Sequence, residues 1–377
     1  MSYRLRLLDS LAPIAAPTWD ALHDGTSPFV THAFLRGLEQ HGCLRPRWGW
    51  TPCHAALFDA DVLVAAAPAY RKDNSHGEFV FDHAWAAAYE RYGRHYYPKW
   101  LIGVPYSPVP GPRLLARDSA SRAALGQHLA AACTELDYSS AHINFLPESD
   151  AADLDSNWLA RSDLQFHWSN LGWSDFDTFL AAMTHKRRKA IRQEREKVAR
   201  AGYRFRVVHG ADATEEQLAA AHGFYCLTFA EKGNSPALTL DFFRHLASAL
   251  PAALVLILAE REQRTVAAAV CLRGSDTLYG RYWGSDEASS GLHFETCYYQ
   301  GIEYCLREGL TRFEPGAQGE HKLARGFLPT PTHSRHFIRD PDFARALSTW
   351  CEQEVAELER YRAFLLQHSP FKRETAA

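Results

Sequence analysis

The sequence lacks an excess of charge of either sign. Its 41 lysines and arginines nearly balance 44 aspartates and glutamates, which leaves a formal net charge of −3 over 377 residues. A nearly neutral chain has no overall electrostatic attraction for nucleic acid or for an anionic membrane. Any partner of either kind would therefore have to bind a local basic patch.

Two further absences narrow the class of protein. The 8 cysteines include no C-x-x-C pair, which excludes the usual zinc ribbons and dithiol redox motifs. No apolar run approaches the length of a membrane span, and the N-terminus has no signal-peptide pattern. We therefore expect reduced, mostly buried thiols, no metal site and no tightly bound cofactor in a cytoplasmic protein.

What the sequence does contain is a repeated order of elements. A length of 377 residues with 46% hydrophobic residues is typical of a globular chain of two domains. Each half contains a hairpin whose second strand begins Val-Ala-Ala-Ala, at Val64–Ala67 and at Val266–Ala269. An extended segment, a long helix and a short strand follow each hairpin. We expect two similar α/β domains, residues 1–170 and residues 171–377, the second ending in a long amphipathic helix.

The stretch Leu278–Phe327 contains the strongest concentration of polar groups. It reads as a strand, a loop, a helix, a second strand and a polar loop with glycines. Period-two alternation along the first strand predicts one face formed by Tyr279, Arg281 and Trp283, with Tyr282 opposite. The second strand is followed by a loop in which an amide, an acid, a histidine and two cations crowd together: Gln318, Glu320, His321, Lys322 and Arg325. This set near strand ends is typical of a site for a polar substrate, and the alternative is a solvated turn.

Strings distributed over nearly the whole chain resemble the FemAB-like family, which is labelled for peptidoglycan biosynthesis or recognition. They include SHGEFVFD at 75–82, VPYSPVPGPRL at 104–114, KRRKAIRQER at 186–195, LYGRYWG at 278–284 and GAQGEHKLARGF at 316–327. The order of elements is similar to the GNAT acyltransferase fold present twice. The resemblance implies two tandem GNAT-like (acyl-CoA N-acyltransferase-like) domains and the transfer of an acyl or aminoacyl group to an amine.

The loop Ser285–Gly291 departs from ordinary GNAT enzymes, which hold the pyrophosphate of acetyl-CoA on a glycine-rich basic loop. This loop contains Asp286 and Glu287 and no lysine or arginine. The departure favours aminoacyl-tRNA as the co-substrate, and acyl-CoA acting on a small amine stays an alternative. The resemblance implies that the acceptor is an amine on a peptide or a cell-envelope precursor. A further alternative is a protein that binds a peptidoglycan fragment or RNA without catalysis.

The chemistry implied by the resemblance requires a group that removes a proton from the amine and a donor that stabilises the oxyanion. We expect Glu320 and His321 to act on the amine. We expect Lys322 and Arg325 to orient an anionic group or the oxyanion, and Gln318 to contribute to substrate binding.

Residues on the strand and the helix before the loop extend this candidate site. Arg281, Tyr282 and Trp283 are candidates for substrate binding, although an aromatic core and an arginine paired with a structural carboxylate are the alternatives. Glu295 is a candidate general base, or else the partner of Arg281 or an acid that caps the helix. His293 and Glu295 lie two residues apart, which on a helix is not a metal-binding spacing.

A basic helix, Lys186–Arg200, contains eight lysines and arginines and two glutamates. Its helical stripe places Arg187 toward the core. Lys186, Arg187, Arg188 and Arg192 are candidates for binding the phosphates of tRNA or of a diphosphate-bearing acceptor. The alternative is a solvated helix supported by i,i+4 ion pairs.

The first half of the chain contains a second polar set. Lys72, Glu78 and Asp82 are candidates for an acceptor pocket, together with Lys99 and two neighbouring tyrosines. The alternative for these residues is a structural network of salt bridges.

Overall fold

The computed structural model describes residues 3–317 and 319–372. Its strands, numbered in chain order, are β1 (Tyr3–Leu8), β2 (Thr51–Pro52), β3 (His54–Asp59), β4 (Val62–Ala67), β5 (Ala69–Lys72), β6 (Lys99–Ile102), β7 (Leu115–Ala116), β8 (Ser140–Asn144), β9 (Trp158–Ser169), β10 (Arg204–His209), β11 (Leu254–Arg261), β12 (Arg264–Arg273), β13 (Thr277–Ser285), β14 (Arg312–Glu314) and β15 (Leu328–Ile338).

The helices are numbered in the same way. They are α1 (Ala16–Asp20), α2 (His32–Gln40), α3 (His83–Arg91), α4 (Ser119–Glu135), α5 (Glu148–Ala151), α6 (Phe176–Ala182), α7 (His185–Arg200), α8 (Glu215–Glu231), α9 (Leu240–Ala249), α10 (Leu292–Phe294), α11 (Gln300–Glu308) and α12 (Pro341–Gln367). A π-helical turn, Glu295–Tyr299, joins α10 to α11, and a 3₁₀ helix covers Glu320–Arg325. Shorter 3₁₀ turns cover Pro28–Val30, Pro46–Trp48 and Gly210–Asp212.

The chain divides into two compact units. Unit 1 comprises the chain up to Leu164 together with Pro331–Tyr361, and unit 2 comprises Gln165–Thr330 with the chain from Arg362 onward. This division differs from the single boundary expected between residues 170 and 171. The segment after residue 330 belongs to unit 1 because the end of β15 pairs with β8 there.

The two units repeat one order of strands along the chain, although in unit 1 these strands form two sheets. In unit 2 the order is β10, β11, β12, β13, β14 and the end of β9, and only the pair β13–β14 is parallel. In unit 1 one sheet has the order β1, β3, β4 and β7, whereas the end of β15, β8, β6, β5 and β2 are neighbours in the other, and here β6–β8 is the parallel pair. Pro68, which cannot donate to the ladder, separates β4 from β5. The repeated order of elements predicted from the sequence is therefore present.

The Val-Ala-Ala-Ala motifs occupy the same place in both hairpins. In β3–β4 the register shifts by one residue, which leaves Val64 as the extra residue of a β-bulge. In β11–β12 the corresponding shift leaves Val266 as the extra residue. A bulge bends its strand and strengthens the local twist, so the motif marks one bend in each sheet.

In unit 2, α8 begins with a capping box formed by Thr214 and Gln217, and it packs on β12 and β13. The packing is closest at Gly284 of β13, where an added Cβ would lie 1.9 Å from the backbone oxygen of Phe224. Only glycine allows the two backbones to approach this closely.

Among the residues that the structure describes, no helix combines the length and the hydropathy that a membrane span requires.

Candidate functional site

The parallel strands β13 and β14 of unit 2 pair over a short length. Their ladder joins Thr277–Tyr279 to Arg312–Glu314, and beyond it β13 continues to Ser285 paired with β12 on its other side. The chain leaves β14 through Gly316, whose φ of 99° favours glycine. The polar loop predicted from the sequence follows directly, except that Gln318 lies outside the described residues.

A third β-bulge, in the pair β12–β13, changes which side chains of β13 share a face. Tyr282 pairs with Val270 and Gly280 pairs with Cys271, so Arg281 is the extra residue between them. The alternation predicted from the sequence is therefore wrong beyond Tyr279, because a bulge shifts every following side chain by one position. Tyr282 shares a face with Tyr279, and Trp283 lies on the opposite face.

Around this bulge, aromatic rings surround two of the predicted substrate-binding residues. The ring of Tyr282 lies edge-on to Tyr225, with centroids 4.8 Å apart. The ring of Trp283 contacts His293 at 5.4 Å. All three residues of the Arg281–Trp283 segment are half-buried. They are therefore neither a sealed core nor a fully solvated surface, and binding of substrate stays a prediction.

His321 and Glu320 are the exposed residues at the start of the 3₁₀ helix. Nε2 of His321 lies 2.9 Å from the hydroxyl of Tyr298. Partial burial lowers the pKa of His321, and the positive charges of Lys322 and Arg325 lower it further. The imidazole is therefore mainly neutral at pH 7. It can accept a proton at Nδ1 in the tautomer that donates from Nε2 to the tyrosine oxygen.

Lys322 is buried, and its Nζ donates to the backbone oxygen of Gly316 at 2.6 Å. This contact holds the 3₁₀ helix against the end of β14. Burial lowers the pKa of Lys322 to about 8, and the neighbouring Arg281 acts in the same direction. The ammonium group is still mostly charged at pH 7 and can donate hydrogen bonds. Its pKa lies only slightly above neutral pH.

Arg325 is also buried, and its guanidinium lies 3.4 Å above the ring centroid of Phe294. It donates to the backbone oxygen of His321 at 2.8 Å and to Glu194 at 2.8 Å. The contacts that the structure shows for Arg325 are thus internal ones, and they order the loop that contains His321.

Glu295 lies in the π-helical turn and is 3% exposed. Its carboxylate is bound by Arg195, with a shortest separation of 3.0 Å, and it also accepts from Gln300. Arg195 in turn binds Glu303 at 2.7 Å. These contacts favour an anchoring role for Glu295 over the predicted roles of general base or partner of Arg281.

In the first turns of α7, Lys186 is exposed and Arg188 is half-buried. Among the described residues, no carboxylate forms an ion pair with Lys186, Arg187 or Arg188, and Arg187 is half-buried instead of facing the core. Arg192 pairs with Asp177 at 3.1 Å, and both side chains are more than half exposed. Cations at a helix N-terminus repel the positive end of the helix dipole, whereas an anion at the same place is attracted by both.

The two acids of the loop Ser285–Gly291 are compensated by arginines. Asp286 pairs with Arg264, and Glu287 binds Arg261 at 2.8 Å and Arg264 at 3.0 Å. The loop therefore repels a pyrophosphate less strongly than its two acids alone would suggest. The loop itself contains no lysine or arginine, which disfavours acyl-CoA.

In unit 1 the second predicted polar set forms a closed cluster. Lys99 is 0% exposed and binds Asp82, Glu78 (2.7 Å) and the hydroxyl of Ser75 (2.9 Å). Lys72 is equally buried and lies 3.9 Å from Glu78. The structure therefore brings together Lys72, Glu78 and Asp82. Their burial favours the salt-bridge network over a pocket open to an acceptor.

The pKa values in this cluster follow from its charges. Burial alone would raise the pKa of Asp82, but Lys99 holds it well below its ordinary value. Burial lowers the pKa of Lys72 to about 7, against the opposing effect of Glu78. The cluster therefore combines a carboxylate that stays ionised with an amine that is half-neutral near pH 7.

Sequence reasoning missed a buried histidine pair beside this cluster. Nδ1 of His142 lies 2.6 Å from Nδ1 of His336, and the hydroxyl of Tyr96 connects His142 to Asp82. Burial lowers the pKa of His142 to about 3 and that of His336 well below its ordinary value. Both imidazoles are therefore neutral. The two residues are 194 apart in the chain, so no local pattern could have paired them.

Within the described ranges, no group of three or more histidine, cysteine or acidic side chains is arranged to hold a metal ion. The candidate site is formed by the short parallel pair β13–β14, the polar loop that follows β14 and the basic helix α7. With the same strand order in both units, they define an α/β protein of the tandem GNAT-like class, which confirms the predicted fold class.

The chain belongs to the FemAB-like family, described as peptidoglycan biosynthesis/recognition, whose model matches residues 10–373. The resemblance found in the sequence is thereby confirmed. A comparison with curated proteins finds no match.

Solved structures with a similar fold share little sequence with this chain. FemX has a TM-score of 0.52 at 11% identity, over 92% of this chain and 100% of its own. The C-terminal domain of a protein named as a lysylphosphatidylglycerol synthetase, from Agrobacterium fabrum, has a TM-score of 0.52 at 12% identity, over 88% and 94%. A conserved protein from Bacteroides thetaiotaomicron has 0.52 at 11% identity, over 88% and 99%. At these identities the likeness shows the fold.

Proposed function

We propose that this protein is an N-acyltransferase of Fem-like type, which transfers an aminoacyl group from aminoacyl-tRNA to an amine of a peptide or cell-envelope precursor. The observation that carries the choice of donor is the start of α7. Lys186, Arg187 and Arg188 lie on an open helix N-terminus without carboxylate partners among the described residues. A tRNA supplies many closely spaced phosphates, for which such a surface is suited.

The reaction needs few groups from the protein. The neutral amine attacks the ester carbon of the aminoacyl donor, the amine loses a proton, and the tRNA hydroxyl leaves with one. We assign the uptake of this proton to His321, whose lowered pKa favours the neutral form, with Glu320 beside it in the chain. Lys322 would donate to the oxyanion formed in between, because it is cationic and desolvated.

The acceptor is proposed from the family. Its description as peptidoglycan biosynthesis/recognition supports an amine on a peptide-like precursor. We assign Arg281, Tyr282 and Trp283 to the binding of this substrate, because they are half-buried beside the end of the ladder between β13 and β14.

A second candidate is an acyl-CoA-dependent transferase acting on a small amine. The observation that favours it is the compensation of Asp286 and Glu287 by Arg261 and Arg264. Compensated acids would not repel a pyrophosphate, so the backbone N–H groups before α10 could still bind it.

Titration of the purified protein with uncharged tRNA, aminoacyl-tRNA and acetyl-CoA at low and moderate salt separates these candidates. The proposal predicts tRNA binding that weakens steeply with salt and no saturable binding of acetyl-CoA. The double variant Lys186→Ala/Arg188→Ala should reduce the slope of log K against log salt by about 1.5, since each phosphate contact contributes roughly 0.7–0.9.

Arg200→Ala is the matched control, because Arg200 lies at the other end of α7 and is engaged with Glu196. It should leave the slope nearly unchanged. Saturable binding of acetyl-CoA without binding of tRNA would replace the proposal by the second candidate. Binding of either ligand without turnover would identify a protein that recognises it without catalysis.

A further inference from the structure

Two half-buried residues in the second half of α7 make contacts with other elements of unit 2. Glu194 and Arg195 are neighbours there, and both turn toward the elements that carry the candidate site. Glu194 accepts a hydrogen bond from Tyr299 through one oxygen, and the other oxygen lies 2.8 Å from Nη2 of Arg325. One carboxylate thus connects three elements of unit 2: α7, the π-helical turn and the 3₁₀ helix.

The contact between Glu194 and Arg325 matters most because a second nitrogen of the Arg325 guanidinium binds the loop that contains His321. Nη1 of Arg325 donates to the backbone oxygen of His321 at 2.8 Å, and Cζ lies 3.4 Å from the ring centroid of Phe294. The side chain of Arg325 is 9% exposed, so water can replace little of what Glu194 provides. A guanidinium in this position requires its carboxylate in order to stay in place.

Arg195 makes a parallel connection. It binds Glu295 and Glu303, on the π-helical turn and on α11, and its guanidinium lies 4.4 Å from the ring centroid of Phe176. The helix on which His321 has its hydrogen-bond partner, Tyr298, is therefore fixed to α7 as well. Both partners of the 2.9 Å contact between Tyr298 and His321 are held by adjacent residues of one helix.

We propose that Glu194 is a positioning residue for this site. It fixes Arg325, and through the backbone oxygen of His321 it fixes the imidazole opposite Tyr298. It acts through Arg325 and does not touch the substrate. The catalytic part of this inference rests on the proposed function, whereas the contacts themselves do not depend on the identity of the donor.

The test compares Glu194→Gln with Glu194→Asp and with the control Glu196→Gln. Glu196 lies on the same helix, is more than half exposed and pairs only with Arg200 in the described part of the chain. Two readouts are needed: hydrogen exchange of the backbone amides in residues 320–327, and kcat and KM for transfer from aminoacyl-tRNA.

Glu194→Gln should accelerate exchange in residues 320–327, including the amides of Lys322 and Gly326, which donate within this turn. It should lower kcat by about tenfold to a hundredfold, the scale of a small misplacement of a reacting group, with no rise in KM for the donor. Glu194→Asp should restore part of both losses, and Glu196→Gln should change neither. A purely electrostatic effect on donor binding would instead change KM and leave exchange as in the wild type.

A double variant, Glu194→Gln/Arg325→Gln, keeps the test decisive if the single variant unfolds. It removes the uncompensated cation together with the connection, so the fold should persist while residues 320–327 still exchange faster. Wild-type protection of this segment in Glu194→Gln or in the double variant would overturn the inference. If the wild-type protein binds no tRNA, the proposed function fails, whereas the exchange result still decides the role of Glu194.

Discussion

At the scale of single residues, His321 and Lys322 have pKa values that bracket neutral pH. The pKa of His321 lies below its ordinary value of 6.5, and that of Lys322 is lowered to about 8. The proposed reaction needs the imidazole without its proton and the ammonium with it. Transfer should therefore rise as the pH passes the pKa of His321, level off near pH 7 and fall above about pH 8. The measurement is the initial rate between pH 5 and 9, corrected for spontaneous hydrolysis of the aminoacyl ester.

Variants assign the two limbs of this profile. His321→Ala should remove the acid limb and lower the plateau by about a hundredfold, within the usual range for a general base. Lys322→Met should remove the alkaline limb. Glu320→Gln separates the two proposed bases, since it leaves the acid limb intact if His321 accepts the proton. Unchanged limbs in both the His321 and the Lys322 variants would contradict these roles.

Lys99 is the residue on which the stability of the unit 1 cluster depends. Lys99→Met leaves Glu78 and Asp82 buried without their shared cation, and breaking a buried ion pair in this way costs about 3–5 kcal/mol. Urea unfolding at pH 7 should show this loss. Lys197→Met, an exposed change on α7, should change the free energy of unfolding by less than about 0.5 kcal/mol.

The pH dependence of this loss has a definite sign. Asp82 has a pKa in the folded protein below its unfolded value of 3.8. Its contribution to stability is fully present above pH 3.8 and is lost as the pH falls through the folded pKa. In Lys99→Met, burial without the cation raises the pKa of Asp82, so the difference in the free energy of unfolding between the wild type and the variant should narrow as the pH falls toward and below 3.8. A difference that stays constant below pH 3.8 would show that Asp82 is not the carboxylate that Lys99 stabilises.

At the scale of elements, the contact between β13 and α8 depends on one glycine. Gly284→Ala would place a methyl group 1.9 Å from the backbone oxygen of Phe224. Because backbone atoms cannot rotate away as a side chain can, the strand or the helix must shift, at a cost of about 1–3 kcal/mol. Urea unfolding of the variant measures this cost.

Gly223 is the matched control on the helix side of the same contact. No heavy atom lies within 4 Å of a Cβ added there. Gly223→Ala should therefore stabilise the protein by about 0.5–1 kcal/mol, because alanine is the better helix former. A loss of stability at Gly223 equal to that at Gly284 would show that the effect comes from α8 in general and not from the close approach.

Regular elements could be predicted from the sequence because their signals are local. The hairpins that contain Val64 and Val266 and the long helix α4 follow from period and from end signals spanning a few residues. The bulges could not be predicted, because an extra residue keeps the composition of a strand and changes only its register. That is why the sequence placed Arg281 and Trp283 on one face.

Contacts between distant elements explain what the sequence missed in the site. The chemical types near His321 were evident, but the pairing of Glu295 with Arg195 spans 100 residues, and that of Arg325 with Glu194 spans 131. With several acids and cations available, the charge pattern alone does not select these pairs. Burial selects them, because a buried charge has to be compensated by whatever partner the fold brings close.

At the scale of the whole molecule, each unit is built from two separate segments of the chain. Unit 1 is completed by Pro331–Tyr361, which follows all the strands of the unit 2 ladder from β10 to β14. Within unit 1, this segment supplies the end of β15 beside β8, and His336 for the buried pair with His142. It also supplies Leu347 and Cys351 of α12, which pack with Trp85 and Tyr89 of α3.

A fragment of residues 1–170 should therefore not fold by itself, although the sequence suggests it as a domain. It leaves the edge of β8 unpaired and His142 without its partner, and an open hydrophobic edge favours aggregation. Adding a peptide of residues 331–361 should restore cooperative unfolding, measured by circular dichroism during a urea titration of the equimolar mixture.

The control peptide carries His336→Ala and Ile338→Asp, which remove the imidazole pair and place a charge at a position that is 5% exposed. It should fail to restore the transition, because a buried and unpaired aspartate costs more than the strand gains by pairing. Cooperative unfolding of residues 1–170 alone would mean that β15 merely covers a unit that is already complete. Rescue by the wild-type peptide only would establish that unit 1 requires for its folding a strand that follows all the strands of the unit 2 ladder in the chain.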